Sequence, residues 1–174
     1  TIVDAAHSWG HVDFSVKDLE SPFVGFNLHK WIGAPLGCGF LYIKKDRLPD
    51  IDRHFADEDH DADDVRSRIH TGTANSANYL AVPAALDFHR AVGAANKFAR
   101  LRYLRDRWVH QVLDVSNLTI MTPEDRRMYG ALTSFRIDGN TTRERSVAIT
   151  DYLTKAWGIF TVRRGGVTNG EVIR

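Results

Sequence analysis

The chain has 174 residues, 43% hydrophobic and 26% charged, with a formal net charge of +1. That profile supplies one ordinary globular core, or one shared between two lobes, and no electrostatic footprint for nucleic acid or an anionic membrane surface. No apolar run approaches the roughly 18 residues of a membrane span. The one cysteine, Cys38, leaves no internal disulfide and no thiolate metal cluster, as suits a reducing, cytoplasmic setting.

Residues 1–3 read as the end of a buried strand. Asp4-Ala-Ala-His7 then falls just past its carboxyl end, where open α/β sheets bind their ligands. A mixed connection follows, with a helical turn near 16–19. The stretch 23–43 organises the rest: an apolar run at 23–26, then Asn27-Leu-His29-Lys30, a loop punctuated by Gly33, Pro35, Gly37 and Gly39, and a second apolar run at 40–43. Two strands flanking that loop present Asn27, His29 and Lys30 at the mouth of a sheet. A lysine between a buried strand and a glycine-rich turn is either a snorkelling surface residue or a partly desolvated amine that serves as a Schiff-base nucleophile.

Residues 50–64 are dense in acid, with His54 and His60 among Asp57, Glu58, Asp59, Asp61, Asp63 and Asp64. The spacing lacks the central glycine and terminal glutamate of a calcium loop, so a solvated acidic loop is expected. A polar turn at 69–76 places Asn75 or Ser76 to cap a helix reaching about Ala91, with Leu80, Ala84, Phe88 and Ala91 on one face. Pro83 kinks that helix or marks its proper start, and Gly93 ends it. A second helix spans 94–113, its stripe formed by Phe98, Leu101, Arg105, Trp108 and Val112, with Arg100, Arg102 and Arg107 outside. Strands are expected at 118–121, 132–137 and 159–162, a helix at 144–157, and another strand from 172. Both termini read as strand interiors, so the chain is expected to be an interior piece of a longer protein.

Four motifs in order resemble the class V aminotransferase family of pyridoxal-phosphate enzymes, which includes cysteine desulfurases, selenocysteine lyases, kynureninase and isopenicillin N epimerase. Val-Asp-Ala-Ala-His at 3–7 resembles the strand-end acid motif. His-Lys-Trp-Ile-Gly-Ala-Pro-Leu-Gly-Cys-Gly-Phe-Leu-Tyr at 29–42 resembles the cofactor-lysine segment. Thr-Gly-Thr-Ala-Asn-Ser at 71–76 resembles the inter-subunit phosphate segment. Val-Arg-Arg-Gly-Gly followed by Val-Ile-Arg, within 162–174, resembles the small-domain active-site loop with its carboxylate-binding arginine.

The resemblance implies an α/β fold: a partial fold-type-I large domain over 1–113, then the start of a small α+β domain over 114–174. It implies pyridoxal 5'-phosphate as cofactor. Asp4 would hold the proton on its ring nitrogen, and Lys30 would form the Schiff base and act as base or acid at the substrate α-carbon. His29 would donate to the phosphate with help from Asn27, and His7 would sit near the phenolic oxygen or over the ring edge. Thr73 would donate to the phosphate of a partner subunit's cofactor, which implies a homodimer with a shared site. Arg174 would clamp the carboxylate of an amino-acid substrate.

Each residue also has a plainer reading. Asp4 closes a turn, His7 is a satisfied loop histidine, Thr73 precedes a helix cap, and Arg163 and Arg164 are surface charge.

The family's desulfurases carry a nucleophilic cysteine just before the final arginine, whereas residues 163–170 contain none. The pattern therefore points away from persulfide formation and toward the isopenicillin-N-epimerase-like branch, with epimerase or transaminase chemistry. A C–S or selenocysteine-type lyase is the alternative. A non-catalytic fragment with a scaffold or dimerisation role is the alternative of another class.

Overall fold

The computed structural model describes residues 1–56, 59–69, 72–166 and 168–174. Asp57 and Glu58 of the acidic stretch, His70 and Thr71 of the polar turn and phosphate-segment motif, and Val167 lie outside the described residues. The chain forms two compact units, Thr1–Lys97 and Phe98–Arg174.

The first unit is built on a three-stranded sheet of β1 (Ile2–Asp4), β2 (Phe23–Asn27) and β3 (Gly39–Ile43), in that order. β1 runs parallel to β2, with Asp4 level with Gly25, and β3 returns antiparallel, with Gly39 level with Asn27. Alternation along β2 buries Val24 and Phe26, which pack with Ala5 beneath Trp9, Phe14 and Tyr42. A capped 3₁₀ turn at Val16–Leu19 bridges β1 and β2.

Asn75 caps α1 (Ser76–Leu80), its side chain accepting from the Ala77 backbone N–H. Pro83 starts α2 (Val82–Val92) rather than kinking one long helix. Gly93, at φ +83°, ends it. The apolar face of Leu80, Ala84, Phe88 and Ala91 is exposed, while Val82, Ala85 and Leu86 pack inward and His89 is buried. The inward face is thus one residue round from the one the spacing suggests.

The second unit takes most of α3 (Ala94–Val112) and adds an antiparallel sheet in the order β4 (Leu118–Ile120), β5 (Phe135–Ile137), β7 (Gly170–Ile173), β6 (Arg163–Gly166). α4 (Arg143–Trp157) contacts β6 and β7. The strand expected at 159–162 is displaced, because pairing begins only at Val162, whose backbone bonds Arg174 in both directions at 2.7 and 2.8 Å. The Arg-Arg-Gly-Gly stretch is therefore β6, one strand of a hairpin, rather than a loop.

Arg105 is buried on the α3 stripe, as its spacing suggests. Arg102 is drawn in rather than left outside, donating to the Arg126 carbonyl at 3.0 Å beside the rings of Phe98 and Tyr129. Guanidinium planes pack against aromatic faces while donating at their edges, which apolar-stripe counting does not register.

Candidate active site

Because β1 and β2 are parallel, their carboxyl ends share one edge of the first unit's sheet. Asp4 closes β1 and Asn27 closes β2 there. Residues 28–38 leave that edge and return to it, closed by a bond from the Leu28 N–H to the Cys38 carbonyl at 3.0 Å. Gly39 permits the return, since a Cβ there would meet the Phe26 carbonyl oxygen at 2.7 Å.

Inside the loop, Leu28, Ile32, Ala34 and Cys38 are buried against Trp9, Val82, Ala85 and Leu86. With its apolar neighbours turned inward, Lys30 is left exposed. Of the two readings the sequence leaves open for Lys30, the exposed side chain is the one found within this chain, where the loop buries Leu28 and Ile32 instead.

Asp4 serves its own turn as well, its Oδ1 accepting from the Ala6 N–H at 2.9 Å. His29 meets the Cys38 carbonyl through Nδ1 at 3.2 Å, and a carbonyl only accepts, so that nitrogen carries a proton. His7 is the reverse case. The Trp31 indole Nε1–H, which only donates, meets His7 Nδ1 at 3.2 Å, so a neutral His7 carries its proton on Nε2.

Trp31 also stacks on His11, with ring centroids 4.2 Å apart and planes 17° from parallel. The His11 Nδ1 lies 2.9 Å from the His7 carbonyl. The Lys97 ammonium donates to the Trp31 carbonyl. Burial lowers the pKa of Lys97. Burial also lowers that of His11, opposed by its bond to His7 and aided by the Lys97 charge.

Thr73 is exposed ahead of α1. That helix is tied to the loop by Asn78, which donates to the Leu36 carbonyl at 2.9 Å and accepts from Cys38 Sγ at 3.3 Å through its own carbonyl. Arg174 belongs to the second unit, where its main chain pairs with Val162. Arg163 there is paired with Glu171 at 3.1 Å and Arg164 is exposed. The first unit thus gathers Asp4, His7, Asn27, His29 and Lys30 at one sheet edge.

Sequence reasoning missed the supports of that edge: Trp31, His11, Asn78 and Lys97. For Lys97 a signal existed, since 97, 101 and 105 form one ladder on α3 and its other members are apolar or buried.

A family model described as aminotransferase class-V matches residues 1–167. The chain belongs to the class-V aminotransferase family.

It is 27% identical over 157 residues to the isopenicillin N epimerase of Streptomyces clavuligerus, covering 81% of this chain and 39% of that protein. The chain thus spans about two fifths of that relative's length. The fold is similar to an apo cysteine desulfurase from Thermococcus onnurineus, with a TM-score of 0.74 at 21% identity over 99% of this chain and 46% of that one. It is equally similar, at 0.74 and 20% identity, to a C-DES mutant with glycine covalently linked to its pyridoxal-phosphate cofactor, over 96% of this chain and 44% of that one. The architecture is therefore the α/β fold of fold-type-I pyridoxal-phosphate enzymes, as the sequence suggests.

Pyridoxal 5'-phosphate is the cofactor that goes with this family. The donor set at the sheet edge fits it: a carboxylate for a ring nitrogen, an amine for an aldehyde, and two imidazoles for oxygen groups. Among the described residues no group of His, Cys, Asp and Glu is arranged to hold a metal ion, and no helix is long and apolar enough to cross a membrane.

Proposed function

We propose that the protein containing this chain is a pyridoxal-phosphate enzyme acting at the α-carbon of an amino acid, with epimerase or transaminase chemistry that uses Lys30. The observation that carries this reading is the joining of two strand ends. Asp4 and Lys30 leave the same sheet edge, and the residue after Lys30 is hydrogen-bonded to His7, three residues after Asp4.

Bound pyridoxal phosphate supplies an aldehyde that amines attack and a cationic ring that withdraws electrons from a substrate α-carbon. Asp4, its carboxyl group oriented by the Ala6 N–H, would hold the proton on the ring nitrogen. Lys30 would hold the aldehyde through its amine and would serve as base or acid at the substrate α-carbon. His7, on the same turn, would lie near an oxygen on the ring edge. His29, whose Nδ1 is taken up by the Cys38 carbonyl, would face the phosphate through Nε2, with Asn27 beside it.

The large-domain segment is 1–113 and the small-domain segment 114–174. Thr73 reaches the phosphate of a second subunit in a homodimer. The exposed apolar face of Leu80, Ala84 and Phe88, just after Thr73 in the chain, supports that assembly.

The enzyme does not form persulfide on a loop cysteine. Residues 163–170 contain no thiol, and Cys38 is only 2% exposed. That same feature keeps a C–S lyase as the second reading, since elimination uses the lysine without a thiol. Pyruvate release from sulfur-containing amino acids would favour the lyase, and loss of chirality at the α-carbon the epimerase.

The deciding test is borohydride reduction of the full-length holoenzyme followed by peptide mapping. The cofactor should be fixed on Lys30, and Lys30→Ala should lose the visible band of the bound cofactor and at least about a hundredfold in rate. A cofactor fixed elsewhere, or an unchanged band in Lys30→Ala, rejects the reading.

A further inference from the structure

We propose that Lys97 is a positioning residue for this site, holding the backbone next to Lys30 so that the amine and the His7 ring keep one fixed relation. The inference rests on the reading of Lys30 given above and deepens it.

Lys97 is the fourth residue of α3. A cation there works against the positive end of the helix dipole. It is also half-buried, which further disfavours charge. Two unfavourable terms at one position call for a compensating contact, and the structure supplies it: the ammonium donates to the Trp31 carbonyl.

Three further contacts converge on the same residue. The Trp31 indole is stacked on His11 and donates to His7. Gly10 lies so close that a Cβ would meet the Trp31 carbonyl carbon and oxygen at 2.9 Å each. Held at its carbonyl by Lys97, Trp31 has its backbone fixed on one side and its ring fixed on the other. Lys30 is bonded to that backbone, and His7 takes its tautomer from that ring. A purely apolar side chain on α3 would pack equally well and leave the loop free to shift along the helix.

The test uses the full-length protein and two measurements, one of which needs no cofactor. In the apo-protein, amide exchange over 28–38 should quicken about tenfold in Lys97→Met while the β2 and β3 amides keep their protection. Lys97→Arg, which retains a charged donor, should return exchange to within about threefold of the parent. Lys97→Gln, shorter and neutral but polar, makes the same comparison should the methionine variant fold poorly.

The second measurement is titration with pyridoxal phosphate itself, which should bind about tenfold more weakly to Lys97→Met and near normally to Lys97→Arg. Unchanged exchange at 28–38, or acceleration spread evenly over 1–97, makes Lys97 merely structural and overturns the proposal. Pyridoxal phosphate fixed by borohydride on a residue other than Lys30 would instead defeat the functional reading, while the exchange result would still report whether Lys97 holds the loop.

Discussion

Trp31 and His7 meet through a hydrogen bond, indole Nε1 to imidazole Nδ1 at 3.2 Å, that ties the turn after β1 to the loop after β2. The two segments are 24 residues apart in the chain. Their contact makes Asp4 and Lys30 parts of one construction rather than two neighbouring strand ends. It also decides the chemistry of His7, because an indole offers a proton and takes none.

Replacing Trp31 by phenylalanine separates these two roles. The ring still stacks on His11, but the N–H is gone, and His7 Nδ1 loses that donor. Cofactor affinity should stay within about threefold, whereas kcat should fall about tenfold, the equivalent of one lost oriented hydrogen bond. Absorbance titration and steady-state kinetics on the same preparation check both numbers. Equal losses in both would mean that the indole serves packing alone.

Gly10 is the hinge of that contact. It sits at φ +79°, and a Cβ would also meet Ile32 Cδ1 at 2.8 Å. Gly10→Ala should therefore cost about 2 kcal/mol from backbone strain alone, before any displacement of Trp31. Chemical denaturation measures the loss. A near-UV circular dichroism change matching that of Trp31→Phe would trace it to the indole.

Much of this arrangement is legible in the chain. The strand expected at 23–26 is observed at 23–27, and of the two offered caps Asn75 is the one used. Of the two readings of Pro83 the helix start holds, and Gly93 ends the helix as local preference suggests. Local rules fail where a side chain answers to something distant. Lys97 and Trp31 are 66 residues apart, and no periodicity pairs them. The exposed face of α2 misleads for a related reason, because alanine and phenylalanine spacing marks an apolar stripe without saying which partner covers it. The strand expected at 159–162 begins late because its pairing is set by Val172 and Ile173 on β7, outside any local window.

In the second unit, Arg105 makes a comparable test of stability. It is 5% exposed, donates to Thr133 Oγ1 at 2.6 Å and to Asp106 at 2.9 Å, and lies 3.9 Å from the centre of the Tyr129 ring. Burial raises the pKa of Asp106. Hydrogen bonds from Arg105 and Tyr129, with the charges of Arg105 and Arg126, more than offset it and leave the carboxyl below its ordinary range. Arg105→Met fills the space but leaves that carboxylate with only Tyr129 and the more distant Arg126 charge, and should cost about 2 kcal/mol. The loss should shrink in the double variant with Asp106→Asn, and a thermodynamic cycle from urea titrations measures the coupling.

Acid should loosen the first unit through two buried histidines. His11 and His89 both have folded pKa values below the ordinary 6.5. For His11 the cause is burial first, then the Lys97 charge, against the bond to the His7 carbonyl. For His89 it is burial, then Lys97 and Arg90, against Asp13. Between each folded value and 6.5 the unfolded chain binds more protons than the folded one, so stability rises with pH across that window. The contribution is complete above about 6.5 and is lost as pH falls toward the folded values. Asp106 acts with the same sign but only below its ordinary 3.8, so the range from about pH 5 to 7 isolates the histidines. Urea midpoints should therefore fall between about pH 7 and 5. His11→Gln should flatten that slope, and adding His89→Gln should flatten it further. A midpoint that holds or rises on acidification would mean that neither ring is kept neutral by its surroundings. Lys97 would then lose its second role, that of discouraging a proton on the ring against which Trp31 is stacked.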